Sequence, residues 1–142
     1  MSVIQATAKL MVEDVNRSVA FYGDLLGFGF ARGLTETSRQ PTTDWPTAER
    51  LAFAEVRRGQ ARLCFQSRAS LAAELPRLAE AKIGGTVVMT LACDDFDALA
   101  ERLGDTVPFI KAPHRAWHGC RECSIEDING YVLTLCESPS NS

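Results

Sequence analysis

The chain reads as an α+β fold built from two βαβββ modules, and three observations predict it. Residues 10–27 run Leu10-x-Val12-x-Asp14 into a helical stretch through Phe21 and Tyr22 that closes on Leu26-Gly27. Residues 91–104 repeat the plan as Leu91-x-Cys93-x-Asp95, then Phe96, Leu99 and Leu103-Gly104. Each helical stretch is followed by short apolar segments separated by turn residues, the pattern of strands. At 142 residues the chain suits one compact domain, or two small halves sharing a core. It divides into a first module at 1–66, a connector at 67–85, a second module at 86–137 and a tail at 138–142.

Residues 3–12 alternate, with Ala6, Ala8, Leu10 and Val12 on one side and Thr7, Lys9 and Met11 on the other, so they predict a strand. The Asp14 carboxylate can accept the free amide protons of the next turn, which suits an N-cap. Val15, Val19, Tyr22 and Leu26 recur at helical spacing, and Gly27 supplies the left-handed residue that ends the helix. Residues 28–32 read as a second strand. Residues 35–50, with Pro41 and Pro46, read as an exposed loop. Trp45 within it has two readings: a ring tucked against the nearest sheet, or one folded over a ligand. Strands follow at 51–56 and 63–66, joined by a turn at Arg58-Gly59. Ser67 to Lys82 has helical composition, with Ser70 as N-cap and Pro76 breaking or restarting the helix.

In the second half, Thr86–Cys93 is a strand, and Asp94 or Asp95 caps a helix that stops at Gly104. Residues 107–111 are a short strand and 112–119 a loop. A strand at 120–125, a turn at 126–130 and a final strand at 131–136 complete the module, and the tail from 138 is expected to fray.

Composition narrows the function classes. The 46% hydrophobic and 23% charged content are those of a water-soluble globule. No apolar run approaches the ~18–20 residues needed to cross a bilayer, and the start Met-Ser-Val-Ile-Gln lacks a signal-peptide pattern. Five irregularly spaced cysteines fit a reducing cytoplasm rather than a disulfide framework. A net charge of −3 argues against nucleic acid, and the Arg57-Arg58 and Arg62 group reads as a solvated edge.

The run Leu10-x-Val12-x-Asp14-x-x-x-Ser18-x-x-Phe21-Tyr22-x-x-x-Leu26-Gly27-Phe28 resembles the vicinal oxygen chelate superfamily, which includes glyoxalase I, extradiol dioxygenases, fosfomycin-resistance enzymes and the bleomycin-resistance proteins. The superfamily's Asp-Pro-Asp-Gly turn before the last strand stands here as Asp127-Ile128-Asn129-Gly130. Trp117-His118-Gly119-Cys120-Arg121-Glu122-Cys123 looks like a degenerate form of the Trp-Gly-x-Arg-Glu-Phe run of the bleomycin-resistance-like branch. The resemblance implies two βαβββ modules forming a cup-shaped mixed sheet with helices outside, commonly in a homodimer. It also implies where metal ligands would stand: seven residues before each capping Asp, at Thr7 and Val88, and four after the turn glycine, at Thr134, with Cys64 or Gln66 as the first-half counterpart. Val cannot ligate and neutral hydroxyls hold divalent ions poorly, so we expect no metal and no cofactor.

Other candidates have bland readings beside the functional ones. Cys120-x-x-Cys123 has the spacing of half a zinc knuckle or a redox pair, but no second pair accompanies it, and i and i+3 of a strand face opposite ways. Two packing thiols are the better reading. His114 and His118 read as residues of a solvated loop. Arg121 and Glu122 point to opposite faces of their strand, which leaves open which of them faces the cup.

The function expected is metal-independent binding of a small molecule in a dimer cleft, such as an antibiotic or aromatic metabolite. The expected ligand residues are Thr7, Lys9, Met11, Trp45, Phe53, Gln66, Trp117, Glu122 and Thr134, with Phe65 as a further apolar surface and no catalytic group. The excess of 18 acidic over 15 basic residues is compatible with a cationic ligand. The partners expected are that ligand and a second copy in a homodimer, with no nucleic acid and no membrane, in the cytoplasm. The alternative is a metal-dependent isomerase, lyase or dioxygenase with displaced ligands.

Overall fold

A computed structural model describes residues 2–138. The chain divides into two compact units, Met1–Ile83 and Gly84–Ser142. In the first, β1 (Ala8–Val12) leads through α1 (Val15–Leu26) to β2 (Gly29–Thr35), a two-residue β3 (Pro41–Thr42), β4 (Leu51–Arg58) and β5 (Ala61–Ser67). Helix α2 (Arg68–Glu74) and a 3₁₀ turn at Pro76–Leu78 follow. The second unit runs β6 (Val88–Cys93), α3 (Phe96–Gly104), β7 (Phe109–Arg115), β8 (Arg121–Glu126) and β9 (Val132–Glu137).

The strand orders repeat. The first sheet is β1-β5-β4-β2-β3 and the second β6-β9-β8-β7. In each, the first strand pairs in parallel with the last, and the remaining pairs are antiparallel. The duplicated βαβββ plan therefore holds, with β3 an addition inside the expected loop at 35–50.

Helix α1 begins where Asp14, in extended backbone, accepts the Arg17 amide at 3.0 Å, and it ends at Gly27 with φ 79°. Its buried face, Val15, Ser18, Val19 and Tyr22, packs on β4 and β5. The buried Tyr22 ring lies 4.9 Å from the Phe65 centroid and 5.9 Å from that of Phe28. Such aromatic pairs add about 0.5–1.5 kcal/mol beyond the area they bury.

Several expected boundaries shift for local reasons. Residues 2–7 lie outside any strand, because β5 pairs only with Ala8–Val12. The N-cap of α2 is Ser67 rather than Ser70: the Ser67 hydroxyl accepts the Ser70 amide at 3.3 Å. Helix α2 packs on β1 and β5, so most of the expected connector at 67–85 lies within the first unit. Asp95 stands at the N-cap of α3 without a side-chain capping bond, and Gly104 is the last helical residue, followed by a right-handed Asp105 rather than forming a left-handed stop itself. Strand β7 extends to Arg115 and takes in His114, which pairs with Glu122 instead of lying in a solvated loop. Of the expected tail, the Ser138 amide donates to Cys93 O at 2.8 Å, and residues 139–142 lie outside the described residues. Among the described residues no helix is long and apolar enough to cross a membrane.

Candidate functional site on the first sheet

Strand alternation and register divide the first sheet into two faces. Leu10, Val12, Leu63, Phe65, Ala54 and Val56 share the face that packs beneath α1. The other carries Lys9 and Met11 from β1, Cys64 and Gln66 from β5, and Phe53, Glu55 and Arg57 from β4. Phe65 was expected as a ligand surface, but it is 0% exposed on the helix face, because its parity matches Leu63.

Phe53 lies between two cations, with Lys9 Nζ 5.7 Å and the Arg32 guanidinium carbon 5.2 Å from its ring centroid. Lys9 is exposed, whereas Met11 and Phe53 are buried. Beside Phe53, the Gln66 amide donates to Ser70 Oγ at 2.9 Å and to Glu74 Oε1 at 3.0 Å. Gln66 is 2% exposed, and its Oε1 has no hydrogen-bond partner among the described residues.

Glu55 is wholly buried and is the hub of this face. Arg32 Nε lies 3.0 Å from Oε1, while Arg62 Nε at 3.1 Å and the Arg57 Nε both reach Oε2. Burial by itself pushes the Glu55 carboxyl up; hydrogen bonds from Arg57 and Arg32, with the charges of Arg57 and Arg62, outweigh it and hold the group below its ordinary value. The bulge between Phe30 and Arg32 sets Arg32 opposite Glu55, while Phe30 stays opposite Val56. Neighbouring Gly33 permits the close approach: a Cβ there would stand 2.9 Å from Phe53 O.

The remaining expected ligand residues fall elsewhere. Trp45 stacks on Phe30 at 5.3 Å, which matches the reading of a ring packed on its own sheet. Thr7 is exposed and precedes β1. In the second unit, Glu122 lies on the face away from α3 and meets His114 Nε2 at 3.3 Å and His118 Nε2 at 3.9 Å. Arg121 faces the helix side, bonded to Asp97 and Glu137 and lying over the Phe96 ring. Thr134 and Ser124 share a hydroxyl hydrogen bond of 2.9 Å, and Trp117 is 96% exposed against His118. A cleft of about 650 Å³ in this unit is lined by Cys93, Phe96, Cys120, Arg121 and Glu137 among others, and by none of the expected ligand residues.

The donor set does not fit a divalent metal. Thr134 is bonded to Ser124, Val88 has no donor atom, and burial pushes the Cys64 thiol up, away from the thiolate a metal requires. Among the described residues no three His, Cys, Asp or Glu side chains are grouped to hold an ion. Cys120 and Cys123 are free thiols, Cys123 wholly buried, and burial with Cys136 nearby pushes Cys93 up to about 11.

Arg57 and Arg62 turn an expected solvated edge into part of this cluster. Their signal was present in the chain: Phe53, Glu55 and Arg57 recur at period two, and Glu55 interrupts an otherwise apolar run.

Two α+β units that share one strand order apart from the added β3, each pairing its first strand in parallel with its last, define a duplicated βαβββ protein. The family profile described as Glyoxalase/Bleomycin resistance protein/Dioxygenase superfamily matches residues 4–135, and the chain belongs to that family. A protein of unknown function from Agrobacterium tumefaciens str. C58 is similar in fold, with a TM-score of 0.73 and 21% identity over 97% of this chain and 96% of that one. A superfamily member from Sphaerobacter thermophilus DSM 20745 gives a TM-score of 0.67 and 20% identity, covering 97% and 100% of the two chains. A lactoylglutathione lyase from Agrobacterium tumefaciens gives 0.62 and 18%, covering 96% and 94%. Among curated proteins, none matches this chain.

Proposed function

We propose that this chain is a metal-independent small-molecule binder of the bleomycin-resistance-like kind, working as a homodimer in the cytoplasm. The observation that carries this reading is the face around Phe53. It combines an aromatic ring, two flanking cations and a buried amide oxygen without a hydrogen-bond partner among the described residues, and Cys64 on the same face is a thiol whose burial holds it away from the thiolate form. A few placed polar groups on an apolar floor are what reversible binding of a small molecule needs, without bond-making machinery. Lys9, Met11, Phe53 and Gln66 are its contacts on the first sheet. Thr7, Trp45, Trp117, Glu122 and Thr134 are less strongly supported, because Trp45 packs on Phe30 and Glu122 and Thr134 have partners within their own module.

A thermal-shift panel of antibiotics and aromatic metabolites, run beside elemental analysis of protein purified without chelator, tests the reading. A ligand at a hundredfold excess over its Kd stabilises the folded state by about 2.7 kcal/mol. That raises Tm by several degrees without added metal. A stoichiometric metal whose removal abolishes an isomerase, lyase or dioxygenase activity supports the enzymatic alternative instead.

A further inference from the structure

The chain's net charge of −3 is compatible with a cationic ligand, but the cluster on this face carries an excess of positive groups. Arg32, Arg57 and Arg62 meet there around Glu55 and Lys9 lies over Phe53, with Glu74 beyond Gln66 the other carboxylate in contact. Each arginine reaches Glu55 through Nε. A guanidinium has five N–H donors, so this arrangement leaves the four on its two terminal amino groups. Among the described residues no hydrogen bond engages those groups in Arg32, Arg57 or Arg62. The arginines are thus held in place by a buried carboxylate while their terminal donors stay uncommitted. The Arg32 and Arg57 side chains are 54% and 56% exposed, so the donors are within reach of a ligand.

We propose that this face recognises a small organic anion, its carboxylate or phosphate taken by the terminal amino groups of Arg32, Arg57 and Arg62 and its flat apolar body resting beside Phe53. Terminal guanidinium groups suit oxyanions because their N–H pairs match the spacing of two oxygens on one carboxylate or phosphate. Arg32, lying over Phe53, joins the polar and apolar parts of the site, and a flat ring can stack on its outer surface. The unpaired Gln66 Oε1 is a second, independent mark of a ligand: a buried acceptor beside Phe53 that a hydroxyl or amine of the bound molecule completes. The inference rests on the small-molecule reading above and assigns its ligand class.

Calorimetric titration with benzoate, phenyl phosphate, neutral benzamide and cationic benzamidine tests it. Benzoate or phenyl phosphate is expected to bind about tenfold or more tightly than benzamide, the worth of one charge-assisted hydrogen bond. Their relative affinities tell a carboxylate from a phosphate preference. The preference weakens with added salt. Arg32→Gln and Arg62→Gln each weaken the anion about tenfold, and Glu55→Gln, which releases the Nε donors of Arg32 and Arg57 and removes a competing charge, tightens it. Should Glu55→Gln fail to fold, the arginine variants and the salt dependence decide. Benzamidine binding as well as benzoate, or arginine variants that leave benzoate unchanged, overturns the anion inference and leaves small-molecule binding standing. Absence of binding by any of the four, together with no stabilisation across the wider thermal-shift panel, overturns both.

Discussion

Strand β4 of the first module is buried on both faces from Leu51 to Val56, whereas its counterpart β8 in the second alternates, with Cys123 and Ile125 buried beside half-exposed Glu122 and Ser124. The two strands belong to sheets of the same order and the same parallel closure, so topology does not separate them. Charge chemistry does. On β4 the face away from the helix carries Glu55, and the surrounding arginines let a carboxylate stay ionised while wholly buried. On β8 and β9 the equivalent face carries Ser124 and Thr134, which pair with each other, and Glu122, which meets two histidines at partly exposed positions. A duplicated fold therefore keeps its helix face apolar in both copies while its other face diverges. The helix face is constrained by packing, whereas the charged and polar groups of the other face differ between the copies.

The largest expected effect tests the shared part of this comparison. Phe65→Ala should cost about 3–5 kcal/mol and Leu133→Ala about 2–5 kcal/mol, because each empties a fully buried position under its helix. Chemical denaturation measures both. A loss below 1 kcal/mol in either would mean that the two helix faces are not equivalent cores.

The divergent part is tested by acid. The folded Glu55 carboxyl titrates below its ordinary value of 4.5, so its ionised form stabilises the fold fully above pH 4.5. That contribution falls as pH drops through the lowered folded value. Glu55→Gln should remove it, giving a protein less stable at pH 7 by about 1–3 kcal/mol, with a flatter stability profile on the acid side. Urea melts from pH 7 to pH 3 compare the two proteins. Identical slopes would show that Glu55 carries no such linkage.

The smallest effect compares the two caps. Asp14→Ala should cost about 1 kcal/mol, since the Arg17 amide loses its acceptor. Asp95→Ala should stay within about 0.5 kcal/mol, because Asp95 makes no capping bond. Equal losses in denaturation midpoint would erase this difference between the modules.

Much of the scaffold was legible in the chain. Asp14, Gly27 and the Val15-Val19-Tyr22 spacing fixed α1, and the weaker second copy fixed α3 without its cap. The period-two pattern also placed Lys9 and Met11 on one face. The candidate site was legible only in pieces. Phe53 and Gln66 were expected ligand contacts, but their neighbours Arg32, Arg57 and Arg62 were not, and Phe65 was assigned to the wrong face. For Arg32 the cause is a bulge, which reverses the parity a regular strand would give it, whereas Arg62 joins the cluster only through the β4–β5 register and Arg57 was legible from its period-two spacing with Glu55.

What the sequence determined by itself are features set between near neighbours along the chain: helix phase, strand parity, the left-handed stop at Gly27 and the Asp127 turn, where one carboxylate oxygen accepts the amides of Asn129 and Tyr131. What only the tertiary structure decided is which distant residues share a neighbourhood. The β4–β5 register brings Arg62 to Glu55, the β2 bulge brings Arg32, and Trp45 settles on Phe30. Local periodicity fixes the side of an element on which a residue lies, but convergence of charges depends on pairing across strands, and no single segment encodes that pairing.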